Sequence, residues 1–236
     1  KISLNSAYGA LGNEYFRYFD VRQAEAITKS GQLAIRWIER ELNEYLNSLL
    51  KTDGVDYVVA SDTDSVYLTL DSIVKTHFQN MTDKNKIVSA LDQVCVDLIE
   101  PFIEKSYQKL ADYMKAYQQR MVMKREVIAD RGIWTAKKRY ILNVYDREGI
   151  RSDEPELKIM GIEAVRSSTP SSCRTTILET MKLILNGTES ELISYVDNFR
   201  QEFMTLPAEE ISFPRSVKGL DKYYDSVTRY TKGTPI

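Results

Sequence analysis

Two β-rich runs, VDYVVA (55–60) and VYLTL (66–70), stand five residues apart, divided by SDTDS (61–65). Strands that close read as a β-hairpin, and this pairing constrains everything around it. The sequence upstream has a different period. From Val21 to Leu50, Ile27, Ala34, Ile38, Leu42, Tyr45 and Leu49 recur at helical spacing. Asp20 with Gln23 gives a capping-box start, and the Gly turn in KTDG (51–54) ends the helix. Lys84–Tyr117 is again helical, with Pro101 forcing a start or a kink. MVMKREVIAD (121–130) and IWTAKKRYILNVYD (133–146) read as strands with Gly132 at their turn, and LKIMG (157–161) as a short strand. Thr169 before Pro170 reads as a helix start with Pro at its first position, and Gly187 as its end. Thr188 with Glu191 caps a further helix. This order predicts an α+β fold, with helices packed on one face of an antiparallel sheet and a boundary near residue 165.

Composition narrows the chemistry. The 236 residues carry a net charge of −2, with 43% apolar and 28% charged residues, as a soluble globular chain does. No apolar run is long enough for a membrane helix, and the N-terminus lacks a signal-peptide layout. No Met opens the chain, as expected of a fragment. Two cysteines build no disulfide framework. Cys95 falls on the stripe Val88, Leu91, Cys95, Leu98, Phe102 and is expected as a small core residue in a reducing, cytoplasmic compartment. Acid gathers in WIERELNEYL (37–46), in 83–104 and in TESELISYVDNFRQE (188–202), and base gathers in KKRY (137–140). Each run, taken singly, reads as a solvated face.

The hairpin turn carries Asp62 and Asp64, two positions apart, so in extended chain both point to one face. Asp62 alone reads as an ordinary turn former. Between strongly apolar flanks, two close carboxylates repel, at a cost that a bound cation removes. Hard oxygen donors on a short turn suit Mg²⁺, which takes one or two carboxylates plus substrate phosphates. His77 is the only histidine, so a His-based triad is excluded and His77 is expected at the surface. At the N-terminus, Lys1, Asn5 and Tyr8 share one helix face at i, i+4 and i+7, which reads equally as an amphipathic helix end closed by Gly9 and Gly12.

Together KISLNSAYG (1–9), SDTDS (61–65) and KKRY (137–140), in that order, resemble the family B DNA-directed DNA polymerases, in particular the replicative polymerases of T-even-like tailed phages. LGNEYFRYFD (11–20), WIERELNEYLN (37–47) and LKIMGIEAVRSSTP (157–170) carry the same likeness, which covers essentially the whole chain. The resemblance implies residues 1–12 as the end of the last fingers helix, 13–165 as palm and 166–236 as partial thumb. It implies that Asp64, with Asp62 beside it, is catalytic and holds metal, with Glu126 as an acid near the metal site. Lys1, Asn5, Tyr8 and Thr63 would meet the incoming nucleotide. Lys137, Lys138, Arg139 and Tyr140 would track the primer–template duplex, and Ser168 and Thr169 would bind backbone phosphate. Two Mg²⁺ ions, dNTP and primer–template DNA are the implied cofactors and partners, with a sliding clamp reached through an absent C-terminus. The implied location is cytoplasmic, the host cytoplasm for a phage-encoded protein.

Three departures stand out. Ser61 opens the turn where the family usually has Gly. Lys124 stands where relatives often carry an acid, and IADRGIW (128–134) is short for its loop. The family's upstream Asp-x-x-Ser-Leu-Tyr-Pro segment does not occur, which leaves the chain as a polymerase piece, inactive alone. The alternatives are a non-catalytic duplex-binding or assembly module with the same fold, and an unrelated metal-dependent phosphotransferase or nuclease using Asp62 and Asp64.

Overall fold

The computed structural model describes residues 2–79, 81 and 83–215. Lys1 and TKGTPI (231–236) lie outside the described residues. The elements run α1 (Ile2–Leu11), α2 (Val21–Leu50), β1 (Val58–Asp62), β2 (Ser65–Leu68), α3 (Asp71–His77) and α4 (Lys84–Val94). A π-helical turn (Cys95–Ile99) leads into α5 (Glu100–Tyr113). Then come β3 (Val127–Ala136), β4 (Arg139–Arg147), β5 (Ile150–Met160), a 3-10 turn (Glu163–Val165), α6 (Ser171–Asn186), α7 (Glu189–Phe203) and α8 (Ala208–Ile211). β1 pairs with β2 antiparallel, and β3-β4-β5 form a second sheet in sequence order. The fold is α+β. Two compact units divide the chain: Lys1–Ile128 with Tyr145–Asp153, and Ala129–Val144 with Glu154–Ile236.

In the first unit, Ala34, Ile38 and Leu42 of α2 bury against Val58, Ile99, Ile103, Tyr107 and Leu110. α2 has the bounds its periodicity predicts, and Asp20 caps it by accepting from the Arg22 N–H. Its amphipathic stripe is buried from Ala34 to Leu46, and Tyr45 stacks on Phe102 at 4.0 Å. Ile27 and Leu49 are exposed.

The second helical region is not continuous. Pro101 has no N–H for the carbonyl of Asp97, and the helix widens there: Glu100 N–H bonds Cys95 O, an i to i−5 link. The inserted residue resets the stripe, so Ile99 is buried and Leu98 is exposed, against expectation. Cys95 is half-buried, and burial pushes its thiol up to about 11. α5 stops at Tyr113 rather than Tyr117. Lys115 takes φ 52° and the Ala116 N–H bonds Ala111 O at 2.8 Å, a Schellman end. His77 is exposed, as expected, on α3, a helix the periodicity did not reveal.

In the second unit, Met181 and Leu185 of α6 pack with Ile141, Ile162 and Ala164, flanked by Ile133, Leu157 and Ile159. Gly132 lies inside β3, not at a turn. A Cβ there would stand 2.6 Å from Leu142 Cδ2 and 2.9 Å from the Trp134 ring, so close side-chain packing explains the glycine. The turn falls instead at Lys137–Lys138. Pro170 is the cap of α6, and the helix begins at Ser171. α7 has the full capping box between Thr188 and Glu191.

Candidate functional site

The acidic turn is tighter than its sequence suggests. The strands extend inward until Asp62 pairs with Ser65, leaving Thr63 and Asp64 as the loop. Val58 faces Leu68, but Ala60 faces Tyr67, so Val59 is an extra residue, a β-bulge. The bulge matters for side-chain direction. Val58, Val66 and Leu68 pack on the core with α2, and Ser61 is the cross-strand partner of Val66. Ser61 therefore shares the helix-facing side, where its Oγ donates to Glu39 Oε2 at 3.3 Å. Strict alternation from Val58 would have put Asp62 on that side. The one-residue slip turns Asp62 to the opposite face, where it is half-buried.

Alternation does not carry on to Asp64. Thr63 has φ 45°, and the Asp64 N–H bonds Asp62 O at 2.5 Å, so the chain reverses about Thr63. A positive φ at a β-branched residue is a rare, strained geometry, costing on the order of 1–3 kcal/mol. Local bonds offset it: Thr63 Oγ1 donates to Asp62 Oδ1 at 3.0 Å and Ser65 Oγ to Asp62 O at 3.2 Å. Asp62 is half-buried and Asp64 exposed at the tip. These are hard oxygen donors of the kind Mg²⁺ takes. Among the described residues no group of three or more acidic, His or Cys side chains is placed to hold a metal. The donor set thus fits part of a metal site. Asn5 and Tyr8 of α1 are exposed, three positions apart on one helix face.

Glu126 is exposed immediately before β3, on a segment that is firmly anchored. Its carbonyl accepts from the Glu148 N–H at 2.7 Å. The preceding Arg125 donates to Asp92 Oδ1 and to Asp146, and its own N–H bonds Glu100 Oε1 at 3.0 Å. Asp92 and Glu100 are eight positions apart, about 80° out of phase on a regular α-helix. The π turn between them removes about one residue of that phase and brings both to Arg125. Asp146 is 1% exposed and is also bound by Arg151 at 3.3 Å and by the Gly149 N–H at 3.0 Å. Burial pushes the Asp146 carboxyl up, but Gly149, Arg125 and Arg151 outweigh it and hold the group below the usual carboxylate range. Sequence reasoning missed this clamp, because the acidic partners of Arg125 lie 21 to 33 residues from it and no local pattern links them.

The basic cluster lies in the second unit. Lys137 and Lys138 form the β3–β4 turn, both exposed, with Lys138 at φ 62°. Gly161, at φ 68°, presses against that turn, and a Cβ there would collide with the Lys138 carbonyl. Arg139 pairs with Glu163, while its buried Nε lacks a partner among the described residues. Tyr140 points inward, 7% exposed, near Trp134. Thr169 is also buried, and its hydroxyl donates to Glu163 O at 2.7 Å. Ser168 is exposed two residues before the α6 cap. The KKRY cluster thus presents two lysines to solvent and turns its aromatic ring into the core.

Residues 50–197 match the divergent family B DNA polymerases, and the chain belongs to that family. It is 41% identical over 234 residues to the DNA-directed DNA polymerase of Enterobacteria phage T4, covering 95% of this chain and 26% of the relative. Against the DNA-directed DNA polymerase of Escherichia phage RB69 it is 42% identical over 232 residues, with 94% and 26% covered. A DNA polymerase alpha catalytic subunit from Leishmania donovani is 26% identical over 204 residues, 86% of this chain and 13% of that protein. The chain therefore spans about a quarter of the two phage relatives.

Proposed function

We propose that this chain supplies the metal-binding hairpin and a DNA-contacting turn of a replicative DNA polymerase working by template-directed nucleotidyl transfer. The observation that carries this reading is the bulge at Val59, which turns Asp62 away from the core beside a solvent-exposed Asp64. Asp64, with Asp62 and Glu126, would hold Mg²⁺, which supplies charge neutralisation for phosphoryl transfer. Asn5, Tyr8 and Thr63 would border the nucleotide, with Lys1 beyond the described residues. Lys137 and Lys138 would meet backbone phosphates, which gives affinity without sequence preference. Residues 1–12 are read as fingers, 13–165 as palm and 166–236 as thumb, acting in the cytoplasm. Among the described residues, no helix is long and apolar enough to cross a membrane.

The two hairpin carboxylates and Glu126 are read as part of a two-metal site, completed by a further acidic ligand from the upstream polymerase segment. The test is primer extension with Mg²⁺ and all four dNTPs, by this chain alone and together with the upstream part of a family B polymerase. Extension only on mixing supports the reading. Extension by the chain alone defeats the divided metal site, and none in either case defeats the polymerase role.

A further inference from the structure

From Tyr113 to Lys124 the chain leaves α5 and runs without regular structure toward β3. Lys115, Arg120 and Lys124 fall here, and no acid occurs between Asp112 and Glu126, in a chain of net charge −2. Among the described residues, Lys115 and Lys124 enter no ion pair, and Arg120 bonds only Gln118 Oε1 at 3.0 Å. Aromatic rings alternate with these cations. Tyr117 is fully exposed. Tyr113 is 77% exposed and stacks on Trp37 with centroids 6.5 Å apart and planes 22° from parallel. Trp37 is itself fixed: its Nε1–H donates to Ser106 Oγ at 2.9 Å, and the Arg40 guanidinium lies 5.0 Å from its ring. The backbone is shaped as well, by the Lys115 helix end and by Gln119, which bonds both the N–H and the carbonyl of Met121.

We propose that Tyr113–Lys124, with the Trp37–Tyr113 stack, is a binding surface for single-stranded nucleic acid, built from residues outside the hairpin and α1. Unpaired bases stack on exposed rings, while unpaired cations track the phosphates. A duplex hides its base faces and has no use for Tyr113 and Tyr117. An acidic peptide would engage the cations and leave the rings idle. The combination of open rings and unpaired cations selects a single strand, read without sequence preference.

The test is fluorescence anisotropy of a labelled oligodeoxythymidylate with this chain, in EDTA and without nucleotide, between roughly 50 and 200 mM salt. Tyr113→Ala with Tyr117→Ala weakens binding about tenfold or more. Lys115→Ala, Arg120→Ala and Lys124→Ala together lower the log–log salt slope by about 2. The triple cation variant and Tyr117→Ala alone keep the wild-type melting temperature, because those side chains are exposed, while Tyr113→Ala also removes the stack on Trp37. Lys182→Ala, at an exposed lysine of α6, leaves this binding unchanged. Wild-type affinity in both surface variants overturns the proposal, as does equal competition by blunt duplex. Equal competition by polyglutamate also overturns it, and identifies a surface for an acidic protein. The assay is blind to nucleotidyl transfer, so its failure leaves the polymerase reading standing, and failure of primer extension leaves this surface standing.

Discussion

The β1–β2 turn and the β3–β4 turn are alike in backbone and opposite in charge. Each closes a hairpin with a short loop and holds a non-glycine residue at positive φ, Thr63 at 45° and Lys138 at 62°. The acidic turn is held by its own neighbours, through Thr63 and Ser65 to Asp62. The basic turn is held from a distance, by Gly161 against its backbone and by Glu163 on Arg139. A third turn, Glu148–Gly149, belongs to the second kind: Gly149 bonds Asp146, which Arg125 and Arg151 hold in turn. Turns held locally announce themselves in sequence. Turns held remotely do not.

The largest expected effect breaks the remote support of the third turn. Asp146→Ala leaves Arg125, 12% exposed, without its most buried partner and costs about 3–5 kcal/mol by chemical denaturation. Loss below about 1 kcal/mol would mean that Asp92 alone suffices. The same group gives a pH signature. Its folded pKa lies below the ordinary value of 3.8, so its stabilisation is complete above that value and fades as pH falls toward the folded one. Asp146→Asn removes this component, so the variant loses less stability than wild type between about pH 5 and pH 2.

Asp64→Ala tests the acidic turn. In the assembled polymerase it lowers nucleotide addition by more than about 100-fold, since even outer-shell partners of a metal cost 10- to 100-fold. Melting is unchanged, because the side chain is exposed and empties no core. A cooler melt with retained turnover would make Asp64 a structural turn residue.

Gly161→Ala tests the basic turn through its support. The added Cβ moves the Lys138 backbone and costs about 1–3 kcal/mol, with weaker primer–template binding. Thr63→Gly, the corresponding change at the acidic turn, relieves a positive φ but deletes the Thr63–Asp62 bond, and nets to within about 0.5 kcal/mol of zero.

The smallest effect separates phosphate contact from fold. Lys137→Ala with Lys138→Ala lowers the salt slope of duplex binding by about 2 and leaves melting intact. An unchanged slope would remove the basic turn from the DNA interface.

Much of the fold was legible because its signals are local. α2 follows from a stripe with a cap at Asp20, α7 from Thr188 and Glu191, and the first hairpin from two apolar runs around a polar tip. The errors share one cause. Gly132 reads as a turn and is a packing glycine under Trp134 and Leu142, while Lys137–Lys138 turns without a turn residue. The stripe through Leu98 fails because Pro101 perturbs the helix before it, which periodicity cannot register.

By itself the sequence determined which residues carry charge at the two hairpin tips, and that Asp62 and Asp64 ride on apolar strands. Only the tertiary structure decided where they face. The bulge at Val59 appears only when β1 is laid against β2, and it exchanges the sides of Ser61 and Asp62. Likewise only folding brings Asp92, Glu100 and Asp146 to Arg125, across separations that no local pattern spans. The physical reason is common to both: spacing fixes direction within one regular element, and an inserted residue or a distant partner changes it at no visible cost in composition.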